Sequence, residues 1–131
     1  MTNTRQPRLK NLGEVEQSVM DYIWSRGSTT AEACREALAT TRPMKDSTIR
    51  TVLRRLEEKG FLRHTKAKEG RAFVYRAVVD REQASRTAVR HLVSRFFRNS
   101  PELLVLNLLE DEELSRKELR RIRALLAGVE K

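Results

Sequence analysis

Residues 46–62, DSTIRTVLRRLEEKGFL, combine an apolar stripe at helical spacing with a face of hydroxyl and guanidinium groups. The stripe recurs every three or four residues, as in an amphipathic helix, and consists of Ile49, Val52, Leu53 and Leu56. We predict that Asp46 or Ser47 caps this helix and that Gly60 lies just past its end. Because hydroxyl and guanidinium groups bind base edges and phosphates, the exposed face of this helix is a candidate DNA surface.

The charge of the chain points in the same direction. Its 131 residues include 27 Lys and Arg against 18 Asp and Glu, for a formal net charge of +9. The excess is concentrated, since residues 45–76 hold 10 cations and 4 anions, whereas residues 80–131 have a net charge of only +2. Such a basic segment favours a polyanionic partner, with nucleic acid ahead of an anionic membrane surface.

Several classes of protein are disfavoured by the composition. Cys34 is the only cysteine, so an internal disulfide is excluded and we expect a packing thiol. No set of His, Cys and carboxylate residues has the spacing of metal ligands, and no phosphate loop or nucleophile motif appears. We therefore expect no metal, no cofactor and no enzymatic activity. The start of the chain has no apolar stretch and the longest apolar run is short, so we expect a cytoplasmic protein without membrane insertion.

The elements around the quoted stretch predict a winged helix-turn-helix, an α+β fold that is mainly helical. They are a helix over residues 12–24, a short helix that follows the turn near residue 28 and ends at residue 38 or 39, the quoted helix, and strands over residues 61–65 and 72–78. Thr29 and Glu32 have the spacing of a capping box for the second helix. The turn between the strands, residues 66–71, is cationic and contains Gly70 where a positive φ is needed.

The second part of the chain carries three further predicted helices with wide apolar faces. Capping boxes at residues 80–83 and 115–118 and a Ser100-Pro101 start mark where these helices begin. Three such helices have too few partners within one chain, so we predict a homodimer. The predicted dimer contacts are Leu92, Phe96, Leu104, Leu108, Leu119, Ile122 and Leu126.

These patterns divide the chain into three predicted parts. Residues 1–11 form a flexible basic tail, residues 12–79 a winged-helix DNA-binding domain, and residues 80–131 a helical dimerisation domain. The alternative for the first domain is an interaction module that binds RNA or protein, which needs no palindromic DNA.

DNA contacts are predicted from residue type and position. Arg can donate two hydrogen bonds to guanine, and Thr offers a methyl group to thymine as well as a hydroxyl. The predicted base contacts are Ser47, Thr48, Arg50 and Thr51. The predicted contacts to the DNA backbone are Thr30, Lys45, Arg54, Arg55, Lys66, Lys68 and Arg71. For any one of these cations, the alternative is an ordinary solvated surface position.

Three groups of motifs resemble the penicillinase-repressor family of the BlaI/MecI type. They are Leu12–Glu16 with Ile23-Trp24, Ser47–Thr51 with Lys59–Phe61, and Val105–Leu108 with Glu113–Ser115. The resemblance covers residues 12–126, nearly the whole chain. It implies a homodimeric repressor that binds a palindromic operator with half-sites similar to TACA/TGTA.

The resemblance also implies how repression ends. In the family, a membrane-bound sensor protease of the β-lactam-receptor type triggers cleavage of the dimerisation domain after an Asn in an apolar helix. The corresponding bond in this chain is Asn107-Leu108, with Leu108 where a familiar member has Phe. This implies an antibiotic-responsive switch with that protease as a partner.

Overall fold

The computed structural model describes residues 12–111 and 114–129, which form six helices and three short strands. In chain order they are α1 (Glu14–Arg26), β1 (Ser28–Thr29), α2 (Ala31–Ala37), α3 (Asp46–Glu58), β2 (Leu62–Lys66), β3 (Phe73–Ala77), α4 (Arg81–Phe96), α5 (Pro101–Glu110) and α6 (Arg116–Val129). The predicted basic tail, residues 1–11, lies outside the described residues. The chain divides into two compact units between Ala88 and Val89, within α4. The predicted boundary before residue 80 stays a prediction.

The first unit is built around one aliphatic core. The apolar stripe of α3 packs against α1, α2 and the sheet, and the predicted stripe residues are all buried. The buried core comprises Val19, Met20, Ile23, Cys34, Ile49, Val52, Leu53, Leu56, Phe61, Leu62, Tyr75 and Val79. Trp24 packs at its edge and donates a hydrogen bond from Nε1 to the Val79 carbonyl at 2.9 Å. The core confirms the predicted α+β winged helix-turn-helix.

The sheet has three antiparallel strands in the order β1-β3-β2. The predicted hairpin is present, with each strand shifted by one residue at its start. The two-residue strand β1 was not predicted, because Ser28 and Thr29 are too few to show an alternating pattern. Its pairing with Arg76 and Tyr75 on β3 places β3 in the centre of the sheet.

The starts of three helices differ from the predictions. Helix α1 begins at Glu14 rather than at residue 12, after Gly13 in the capping position. The cap of α2 is Thr30 rather than Thr29: its Oγ1 accepts a hydrogen bond from the Ala33 N–H at 3.1 Å. Helix α3 has no side-chain cap, since Lys45 occupies the capping position and Asp46 is already helical. The predicted Gly60 stop is confirmed, because Gly60 follows α3 with a φ of 94°, a conformation that glycine adopts without strain.

A partly buried ion pair connects α1 to the end of α3. Glu16 Oε1 lies 2.6 Å from Lys59 Nζ and also accepts a hydrogen bond from the Gly13 N–H at 2.8 Å. Burial alone would raise the pKa of the Glu16 carboxyl, but the bonds from Lys59 and Gly13 outweigh it and hold that pKa below its ordinary value. The carboxylate therefore stays charged and fixes the position of α3 along α1.

We predict that the thiol of Cys34 reacts slowly while the chain is folded. Cys34 is fully buried, as expected for a packing thiol, and burial raises its pKa from 9.0 to about 11. The thiolate at neutral pH is then about 100-fold rarer than for an unshifted thiol. A thiol reagent at pH 8 should modify the folded chain at least ~100-fold more slowly than the urea-unfolded chain. Equal rates would contradict the buried position.

The same shift predicts a pH dependence of stability. Between pH 9 and about 11 the unfolded thiol ionises while the buried one does not. Ionisation of Cys34 therefore does not reduce the free energy of unfolding below pH 9. As the pH rises from 9 toward 11, ionisation of the thiol in the unfolded chain alone lowers the free energy of unfolding.

The second unit contains the end of α4 together with α5 and α6. Helix α4, for which the sequence pattern predicts an end at about residue 98, ends at Phe96, and Arg98 and Asn99 just beyond it have positive φ values of 52° and 62°. The predicted Ser100 cap of α5 and the Ser115 to Glu118 capping box of α6 are both formed. Among the described residues after Ala88, only Val93 is buried.

Candidate nucleic-acid interface

Helix α3 presents one face to the core and the other to solvent. The predicted DNA contacts that are exposed on the solvent face are Ser47, Thr48, Arg50, Arg54 and Arg55, and the same helix also exposes Asp46 and Glu58. Thr51 is half-buried, and its Oγ1 donates a hydrogen bond to the Ser47 carbonyl at 3.0 Å. The structure thus brings all four predicted base contacts and two of the predicted backbone contacts onto one helix, with the hydroxyl hydrogen of Thr51 already in use.

Arg50 is held in place by an acidic neighbour on the same helix. Its Nε lies 2.8 Å from Asp46 Oδ2, and both side chains are exposed. The hydrogen bond that Arg50 donates to Asp46 is the main reason why the pKa of Arg50 lies above its ordinary value. Asp46 therefore orients the Arg50 guanidinium, a role that differs from the capping role predicted for it. Exposed pairs of this kind are weak, so Arg50 can exchange this partner for another.

Two predicted phosphate contacts lie outside both α3 and the hairpin of β2 and β3. Thr30 sits at the start of α2, where its hydroxyl oxygen accepts the capping bond from Ala33. Lys45 directly precedes α3 and has an exposed side chain. The Lys45 carbonyl accepts the Thr48 and Ile49 N–H groups, so the backbone at this position belongs to the helix start.

The wing, defined here as β2, β3 and residues 67–72 between them, carries the remaining predicted cations. Lys66 is the last residue of β2, opposite Phe73, whereas the sequence placed it in the turn. Lys68 and Arg71 are exposed in the turn, where Gly70 has the expected positive φ of 93°. The wing tip is therefore a small cationic surface that extends from the sheet.

The structure shows polar groups in the wing that the sequence reasoning did not single out. Arg63 and Arg76 lie opposite each other in the strand register, and both are exposed. His64 on β2 binds Glu57 on α3, with Nδ1 and Oε1 2.7 Å apart. Only the register of β2 and β3 and their packing against α3 bring these groups together, so spacing along the chain did not indicate them.

The predicted dimer residues are at the surface of the second unit. Those with exposed side chains are Leu92, Phe96, Leu108, Ile122 and Leu126, while Leu104 and Leu119 are half-buried. Phe96 is 71% exposed and Val129, next to the predicted set, is 80% exposed. Asn107 is exposed in the middle of α5, where its carbonyl accepts the Asp111 N–H.

Within residues 12–111 and 114–129, no three or more His, Cys, Asp or Glu side chains come together as metal ligands could. In the same ranges no helix has the length and apolar character needed to cross a membrane.

Comparison with known proteins identifies relatives along nearly the whole chain. A penicillinase repressor of Bacillus licheniformis is 31% identical over 91% of this chain and 91% of its own. The methicillin resistance regulatory protein MecI of Mammaliicoccus sciuri is 28% identical over 88% of this chain and 92% of its own. The solution structure of the DNA-binding domain of the repressor BlaI superposes with a TM-score of 0.50 and 34% identity, over 58% of this chain and 90% of that domain.

The family assignment rests on a match that includes both units. Residues 12–128 fit the sequence profile of the penicillinase repressor family. The chain therefore belongs to the penicillinase repressor family.

Proposed function

We propose that this DNA-binding transcriptional repressor acts as a homodimer on a palindromic operator, with α3 in the major groove and the wing on the adjacent backbone. The observation that carries the proposal is the exposed face of α3. Its hydroxyl and guanidinium groups lie directly opposite a fully buried apolar stripe. This combination suits base contacts on a rigid helix.

The proposed dimer rests on the second unit. Its helices expose large aliphatic and aromatic side chains to an extent that is unusual for a monomer. A second copy with two-fold symmetry would cover them and would also present two α3 helices to the two half-sites. We propose that this interface contains the dimer contacts predicted from the sequence, which are Leu92, Phe96, Leu104, Leu108, Leu119, Ile122 and Leu126.

Competition binding tests the proposal. The full chain is titrated against a labelled duplex from upstream of its own gene, with an unlabelled scrambled duplex of the same length as competitor. The proposal requires a clear preference for the upstream duplex at one fixed salt concentration. Equal competition by the scrambled duplex would contradict it, and preference for RNA would favour the interaction-module alternative.

We predict different effects for the two kinds of DNA contact. Arg50→Ala should weaken operator binding roughly 5- to 150-fold and relax the base preference, because a bidentate base contact is lost. Lys68→Ala should weaken binding to all duplexes alike and lower the slope of log K against log salt by about one. Binding titrations over a range of salt measure both quantities, and identical behaviour of the two variants would contradict the division into base and backbone contacts.

We also propose that cleavage between Asn107 and Leu108 ends repression. Both residues lie inside α5, so that helix must open locally before a protease can bind this segment. Cleavage would divide the proposed dimer surface and so weaken DNA binding. The Asn107→Ala chain, expressed with its cognate protease, should remain intact while the unchanged chain is cut. Loss of the full-length variant would indicate a different bond.

A further inference from the structure

Three polar and aromatic side chains form a continuous contact between α3 and the wing. His64 Nδ1 lies 2.7 Å from Glu57 Oε1, which belongs to the last turn of α3. His64 also contacts the wing strand β3, where its ring stacks on that of Phe73 with centroids 4.1 Å apart and planes at 20°. Phe73 is the strand partner of Lys66, the first of the wing cations that are predicted to contact the DNA backbone.

The aromatic rings are also in contact with the core residue Tyr75, whose ring centroid lies 5.7 Å from that of His64 and 6.3 Å from that of Phe73. The third strand, β1, pairs with β3 only at Tyr75 and Arg76, so from Thr65 outward the wing is a two-stranded ribbon. Isolated two-stranded ribbons are marginal in water. In this described segment, no side chain from residue 65 to residue 72 forms a hydrogen bond, ion pair or ring contact. The tip is closed by the backbone bond from Ala67 N–H to the Ala72 carbonyl at 2.9 Å.

From this arrangement we infer that His64 is a positioning residue, which fixes the wing against α3 so that the wing cations and the base contacts engage DNA together. This inference rests on the proposed function, in which His64 itself does not contact DNA. Without the bond between His64 and Glu57, the two-stranded ribbon would become ordered only when DNA binds. Ordering costs affinity that a preorganised wing retains.

Glu57 gives His64 a second effect. This carboxylate lies one turn beyond Arg54, on the helix proposed to enter the groove. A carboxylate facing the phosphates would oppose binding, and the bond to His64 directs it toward the sheet instead. The amide of Glu57→Gln keeps an oxygen that can accept from His64, so this variant should preserve the position of the wing.

A double-mutant cycle tests the inference. His64→Phe keeps a ring that can stack on Phe73 but cannot bond to Glu57. We expect it to weaken operator binding about three- to tenfold and to lower the salt slope, since the wing cations no longer engage fully. In the His64→Phe background, Lys68→Ala should change affinity and slope much less than it does in the unchanged chain. Glu57→Gln should leave the effect of Lys68→Ala at full size.

Hydrogen exchange in the absence of DNA provides an independent readout. The Ala67 amide should exchange faster in His64→Phe than in the unchanged chain and in Glu57→Gln, because the ribbon opens more often. Equal exchange, or a Lys68→Ala effect of the same size in both backgrounds, would overturn the inference while leaving the proposed function intact. If the unchanged chain shows no preference for its operator, the proposed function fails and the inference fails with it.

Discussion

The Ile122→Asp chain is expected to bind its operator about 10²- to 10⁴-fold more weakly than the unchanged chain, because it can no longer dimerise. Ile122 lies on α6 in line with Leu119 and Leu126, and it is 39% exposed in the single chain. A carboxylate at this position would have to be buried without a partner in the proposed interface. Each separated copy would then bind one half-site alone.

Ala124→Asp is the matched control for this variant. Ala124 lies on the opposite face of the same helix, beside Lys117, Arg120 and Arg121. The same carboxylate there would face cations and solvent, so dimerisation and operator affinity should be retained. Sedimentation and operator titration of both variants measure the two effects. A dimeric Ile122→Asp chain with unchanged affinity, or equal losses in both variants, would contradict the proposed interface.

The second large effect concerns the core beneath the proposed DNA surface. Leu53→Ala should lower the free energy of unfolding by about 2–5 kcal/mol, because Leu53 is fully buried and its removal leaves a cavity. The loss is large compared with a typical total stability of roughly 5–15 kcal/mol. Denaturant unfolding at one fixed protein concentration measures it, since the proposed dimer would make the midpoint depend on concentration.

Val78→Ala provides the comparison at an exposed position. Val78 is 48% exposed, so its truncation should change the free energy of unfolding by no more than about 0.5 kcal/mol. If Leu53→Ala and Val78→Ala shifted unfolding equally, the packing of α3 described here would be wrong. Operator binding by the Leu53→Ala chain that remains folded measures how far the position of α3 depends on this side chain.

Much of the first unit, and the helix starts of the second, could be predicted from the sequence, because their signals are local. The stripe of α3 has the helical period, and its exposed face follows directly from that period. The capping boxes at Asp80 and Ser115 and the Gly60 stop depend on residues only a few positions apart. Such patterns are visible without knowledge of the tertiary structure.

Other features depend on contacts between distant parts of the chain. Strand β1 exists because β3 supplies its hydrogen-bond partners, and a two-residue strand has no period of its own. Asp46 binds Arg50 instead of capping α3, since capping and ion pairing are both available to a carboxylate at a helix start. The contact between Glu57 and His64 requires both the end of α3 and the start of the wing to be in place.

Footprinting of the operator with a small cleavage reagent tests the central claim most directly. Bound by the full chain, a palindromic duplex should show two protected half-sites related by symmetry. Their centres should lie a whole number of helical turns apart, at about 10 bp per turn. Protection of a single half-site, or uniform protection regardless of sequence, would contradict a dimer that contacts bases through two copies of α3.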